Sequence, residues 1–150
     1  MKIKSFRGLM KDNTQDTIVL HTNTGSTGYK INKFQIIGPD SNENIESTVK
    51  VYKIKQTTID DKIDFSDNTL LAAATFSGTT SSANTAAQVV VFDNEIFNQD
   101  IYVTLKGESY TSNINYYIEL EQMQLDLTEN TVATLKDIRN IAGQWVNNII

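Results

Sequence analysis

Short apolar stretches, each closed by a polar loop, follow one another along most of this chain. Thr17-Ile18-Val19-Leu20-His21-Thr22 is short and β-branched, the pattern of a strand. It runs into a loop at 23–28, where Gly25 and Gly28 permit positive φ. Residues 29–37 form the next strand. It ends before Pro39, which lacks the N–H that a sheet ladder needs. The polar loop between these two strands reads as a hairpin or as a turn between sheets. Residues 47–56 change phase, with Val49 and Val51 on one face and Tyr52 and Ile54 on the other. Either both faces are partly covered or a bulge lies near Val51.

Residues 70–77 are apolar throughout, which fits a strand buried on both faces. Ala72-Ala73-Ala74 also fits a helix, and the flanking loops favour the strand. Strands follow at 88–92 and 100–105. In the second, Ile101, Val103 and Leu105 alternate with Tyr102 and Thr104, as in a half-buried strand. The longest β run is 113–127. Tyr116, Ile118 and Leu120 share one parity and Met123, Leu125 and Leu127 the other, so a bulge near Glu121 or Gln122 is expected.

The period then changes. Leu135, Ile138, Ala142, Trp145 and Ile149 recur at helical spacing, with Thr128 or Asn130 as a cap and Gly143 as a stop. These elements predict an all-β protein, an antiparallel β-sandwich with a jelly-roll winding among its forms. One sandwich domain is expected over 1–140, with a short C-terminal helix or arm at 141–150.

Composition narrows the chemistry. The 150 residues contain no cysteine and one histidine, and carry a net charge of -5. Lack of cysteine excludes thiolate catalysis and Cys-ligated metal. The acidic balance opposes broad, salt-dependent attachment to nucleic acid. A locally basic strip (Lys2, Lys4, Arg7, Lys11, Lys30, Lys33, Lys50, Lys53, Lys55) reads as a solvated face. No apolar run reaches the ~18 residues of a membrane helix, and the start has no apolar signal-peptide core.

The candidate catalytic groups are weak. Asp40-Ser41-Asn42-Glu43-Asn44 imitates the first half of a calcium loop, but Ile45 stands where glycine is needed and Val51 where glutamate is needed. Asp60, Asp61, Asp64 and Asp67 read as a solvated loop held extended by self-repulsion, with a hard cation as the sharper reading. Asp93, Glu95 and Asp100 read as parts of a strand connection, with an acid–base pair as the sharper reading. His21 lacks an adjacent nucleophile element. No catalytic residue, metal or cofactor is predicted. Tyr110, Tyr116 and Tyr117, with the Asn-rich loops, are candidates for glycan contact.

Two apolar segments are candidates for partner binding: Ile3, Phe6, Leu9 and Met10 at the start, and Trp145, Val146, Ile149 and Ile150 at the end. Burying Trp145 would remove roughly 150–250 Å² from water, on the order of 4–6 kcal/mol as an upper bound. The tail either packs on its own domain or crosses to a neighbour.

Three segments carry a resemblance. The first is Met1-Lys2-Ile3-Lys4-Ser5-Phe6-Arg7-Gly8-Leu9-Met10 leading to Asp16-Thr17-Ile18-Val19-Leu20-His21-Thr22-Asn23. The second is Val91-Phe92-Asp93-Asn94-Glu95-Ile96-Phe97-Asn98-Gln99-Asp100-Ile101-Tyr102-Val103-Thr104. The third is Asn115-Tyr116-Tyr117-Ile118-Glu119-Leu120-Glu121-Gln122-Met123 with Ala133-Thr134-Leu135-Lys136-Asp137-Ile138-Arg139-Asn140. Together they resemble small virion-associated structural proteins of marine tailed bacteriophages. The resemblance runs to Asn140 and leaves the last ten residues uncovered.

It implies a non-enzymatic virion protein, foremost a capsid decoration (cement) protein bound to the major capsid protein. A tail or head–tail adaptor and a surface carbohydrate-binding module are the alternatives. It also implies a homo-oligomer without nucleic-acid or membrane partners, assembled in the host cytoplasm. No catalytic residue comes with it.

Overall fold

The computed structural model describes residues 2–39, 45–78, 87–107 and 113–126. These form eight strands: β1 (Lys2–Met10), β2 (Thr14–Ile18), β3 (Thr27–Ile37), β4 (Ile45–Tyr52), β5 (Leu70–Gly78), β6 (Ala87–Phe92), β7 (Ile101–Gly107) and β8 (Ile114–Gln124). No helix occurs among the described residues. The expected C-terminal helix or arm lies outside them.

The strands make a three-stranded sheet ordered β1-β8-β3 and a five-stranded sheet ordered β2-β7-β4-β5-β6. Every pairing is antiparallel. The two sheets pack face to face as the expected sandwich. The order has a simple origin. A long hairpin folded about its β4–β5 turn would pair β4 with β5, β3 with β6, β2 with β7 and β1 with β8. The protein keeps three of these four pairs. The exception is β6, which stays on β5 and reaches β3 through a side chain, Gln88 Nε2 donating to the Ile36 carbonyl at 2.7 Å. The winding is therefore jelly-roll-like, with its sixth strand in the larger sheet.

The core lies between the sheets. Ile101, Val103 and Leu105 of β7 alternate inward, as their period-2 pattern requires. Val49 and Val51 of β4, Ala72 and Ala74 of β5, and Ile114, Ile118 and Leu120 of β8 meet them. Each of these valine, leucine and isoleucine side chains, fully buried, contributes about 1.5–3 kcal/mol.

Two expectations about register have different outcomes. The phase change near Val51 is real: the β4–β5 register shifts between Val51 and Tyr52, and both faces of β4 are buried as well. The bulge expected in β8 is absent. Its register against β1 runs unbroken from Lys2↔Gln122 to Met10↔Ile114. The irregularity sits on the neighbouring strand, between Ile31 and Lys33 of β3. Asn32 is the extra residue, and it lets Tyr29 and Ile31 on one parity, and Phe34 and Ile36 on the other, all point inward. Leu125 is buried after β8 has ended; its side chain lies over Gly28, where a Cβ would come within 2.7 Å of it.

The first β segment also differs at its boundaries. β2 stops at Ile18, and Leu20 and His21 follow as coil. Their backbone N–H groups donate to Asp100 Oδ1 at 2.8 and 3.0 Å, replacing ladder bonds. Because β2 and β3 belong to different sheets, the loop expected at 23–28 is a turn between sheets, and it ends where β3 begins at Thr27.

Candidate interaction surface

The outer faces of the two sheets are built differently. On the five-stranded sheet, the segment between β4 and β5 lies across the middle. Gln15 of β2 anchors it in both directions: Gln15 Nε2 donates to the Gln56 carbonyl at 3.1 Å, and Gln56 N–H donates to Gln15 Oε1 at 2.9 Å. Further along, Lys50 Nζ of β4 donates to Asp60 Oδ1 and to the Lys62 carbonyl, each at 2.6 Å. The Lys50 side chain is only 2% exposed, and its ammonium sits 5.4 Å from the centre of the Tyr52 ring.

Burial acts to lower the pKa of Lys50, but Asp60 and Tyr52 outweigh it and the pKa is raised. Asp60 is held below its ordinary value by the same contact. A second buried lysine, Lys53, donates to Glu95 Oε1 at 2.9 Å. Lys50 and Lys53 thus depart from the expected solvated face; 57–68 is largely exposed, as a solvated loop is expected to be, but Asp60 and Lys62 also fasten it across the sheet as a strap.

The outer face of the three-stranded sheet carries no such strap among the described residues. Registers place its side chains in rows across β1, β8 and β3: Ile3–Glu121–Lys30, Ser5–Glu119–Lys33, Arg7–Tyr117–Gln35 and Leu9–Asn115–Ile37. The first two rows are charged. Lys30 pairs with Glu121 at 3.3 Å, and Lys33 Nζ lies 5.9 Å from the centre of the Tyr117 ring. The last two rows are more apolar and form a groove of about 500 Å³ lined by Arg7, Leu9, Gln35, Ile37 and Tyr117. Leu9 is 54% and Ile37 64% exposed there. Gly8 also lines the groove, and a Cβ on it would stand 3.1 Å from the Tyr116 ring.

The predicted partner-binding residues divide by parity. Ile3 and Leu9 are exposed on this face, whereas Phe6 packs against the core and Met10 belongs to it. Trp145, Val146, Ile149 and Ile150 lie outside the described residues, as do Tyr110 and the calcium-like stretch 40–44. Of the glycan candidates, Tyr117 is on the face. Tyr116 points inward, its hydroxyl donating to Asp16 Oδ2 at 3.3 Å and pushed up to about 12 in pKa by burial and by Asp16. Ile37, Arg7 and Gln35 complete this surface although no local pattern in the sequence joins them. Ile37 had a signal, because it breaks the alternation of Phe34 and Ile36.

The acidic residues serve local structure. Asp64 Oδ1 accepts from Ser66 N–H at 2.9 Å, and Asp67 Oδ1 accepts from Thr69 N–H at 2.9 Å. Asp93 Oδ1 accepts from Glu95 N–H at 2.9 Å. Asp100 instead joins His21, whose Nδ1 is 2.7 Å from Oδ1. Burial works to raise the pKa of Asp100, but the amides of His21 and Leu20 and the His21 ring lower it overall. Among the described residues no group of three acidic or histidine side chains is close enough to hold a metal ion.

The fold defines the class: an all-β, antiparallel sandwich. No family model matches the sequence, and no curated protein matches it. A solved structure reported under the description "Bacillus endospore appendages form a novel family of disulfide-linked pili" is similar over 83% of this chain and 89% of that one. Its identity is 9% and its TM-score 0.36.

Proposed function

We propose that this protein is a non-enzymatic structural component of a phage virion, a capsid decoration protein that binds the major capsid protein. The outer face of the three-stranded sheet is the docking surface. One observation carries the reading: Leu9 and Ile37 stand exposed on either side of Asn115, beside Tyr117 and Arg7, on a sheet whose opposite face is locked into the core. Aromatic, arginine and aliphatic side chains around a groove are what a protein–protein contact uses, and a rigid sheet presents them with little ordering cost. The resemblance of three sequence segments to virion proteins supports the same reading.

The test is occupancy. Wild-type protein and Leu9→Asp or Ile37→Asp variants are supplied to heads lacking the protein, and the bound fraction is measured by sedimentation. The proposal predicts that wild type saturates the heads and that each variant, folded by circular dichroism, does not. Equal occupancy by variants and wild type would rule this face out as the docking surface. Wild type that fails to bind heads would remove the capsid assignment itself.

A further inference from the structure

The sandwich has four sheet edges, and among the described residues only three are protected. An unpaired edge strand offers free N–H and C=O groups to any other strand, and proteins blunt it with charge, proline, bulges or brevity. β1 carries exposed Lys2, Lys4 and Arg7. β3 carries Lys30, Lys33 and the bulge at Asn32. β2 has five residues, includes Asp16, and is tied to the strap through Gln15. β6, one residue longer than β2, has no charge, proline or bulge. Its sequence, AQVVVF, contains no charge and no proline, and its register with β5 is unbroken from Ala72↔Phe92 to Ser77↔Ala87. Val89 is 60% and Val91 47% exposed. Gln88 clasps the Ile36 carbonyl at one end of the strand, leaving Val89 to Phe92 beyond it.

We infer that β6 is a self-association edge, where β6 of a second copy adds in antiparallel fashion to join two five-stranded sheets into one. The partner follows from the strand itself. Directly opposed residues in an antiparallel pair point to the same face. A two-fold axis at Val90 therefore sets Val90 against Val90 on the inner side and Val89 against Val91 on the outer side, with Gln88 against Phe92. Every pair is uncharged, and three of the five are valine pairs, the β-branched contacts that stabilise cross-strand neighbours. The groove of about 300 Å³ lined by Phe65, Leu70, Val91 and Phe92 lies at the end of β6 where the partner strand's beginning arrives. Such an isologous contact closes as a dimer. This inference does not rest on the capsid reading.

Charge exchange at the edge tests it. Full-length wild type is examined by light scattering and sedimentation equilibrium across concentration, alongside Val89→Lys/Val91→Lys and Val89→Glu/Val91→Glu double variants. Wild type should dimerise. Each double variant sets like charges opposite each other twice and should dimerise at least tenfold more weakly, with unchanged circular dichroism. Mixing the two variants should restore the dimer, which also shows that both are folded. In addition, Val90→Cys, which introduces the first cysteine of the chain, should cross-link to itself on oxidation. Monomeric wild type at all concentrations, a dimer that survives the double substitutions, or a mixture that fails to restore it would each overturn the proposal.

Discussion

The outer faces of the two sheets invert the usual order of burial. On the five-stranded sheet a lysine is buried and bonded beneath a polar strap; on the three-stranded sheet leucine and isoleucine face water. Both faces belong to antiparallel sheets of the same sandwich, so the difference does not come from strand direction. It comes from what each connection carries. The β4–β5 connection is long and holds Asp60 and a carbonyl at Lys62 that satisfy Lys50. The covered face is thus completed within the chain through polar contacts. The open face has its apolar residues already aligned and an ion pair, Lys30–Glu121, joining β3 to β8. Under the proposed function it is the surface that meets another molecule.

The comparison can be broken first at the strap. Asp60→Ala leaves the Lys50 ammonium buried with one carbonyl. Removing one partner of a buried ion pair costs about 3–5 kcal/mol. Asp60 is half exposed, which reduces the expected loss to about 1–3 kcal/mol, read by urea unfolding. This difference depends on pH. The Asp60 carboxyl is held below its ordinary value of 3.8 in the folded protein. Its contribution is therefore present above that value and lost as pH falls through the lower, folded one. Wild type and variant should converge in stability under acid and differ at neutral pH. A constant difference would mean that the carboxylate is not what holds Lys50.

A smaller effect is expected beneath the open face. Gly8→Ala places a methyl group 3.1 Å from the Tyr116 ring, and displacing that ring should cost about 1 kcal/mol. The matching readout is the Tyr116 hydroxyl, whose titration near pH 12 should move as its contact with Asp16 changes. The smallest effect belongs to the open face itself. Leu9→Asp and Ile37→Asp should alter stability by no more than about 0.5 kcal/mol, because these side chains are already in water. A large loss in urea unfolding would show that the face is covered after all.

Much of the scaffold was legible in the sequence. The alternation of Ile101, Val103 and Leu105 and the β-branched runs located the strands, because their period reports burial directly. The shift at Val51 was legible for the same reason. Its counterpart in β3 was readable too, since Tyr29, Ile31, Phe34 and Ile36 change parity at Asn32, but a similar parity change in the longer run at 113–127 points to the neighbouring strand. The strap was not legible. Nothing in Lys50 or Asp60 alone says that they meet, because the contact needs the loop after β4 to fold back over the sheet. The open face was half legible: Ile3 and Leu9 were recognised as apolar, but separating them from Phe6 and Met10 requires knowing that β1 pairs with β8.

The direct measurement is a footprint by hydrogen exchange of the protein free and bound to heads. Docking through the open face predicts added protection at Arg7–Leu9, Gln35–Ile37 and Asn115–Tyr117, with exchange across the strap unchanged. Protection confined to the strap and the five-stranded sheet would contradict it.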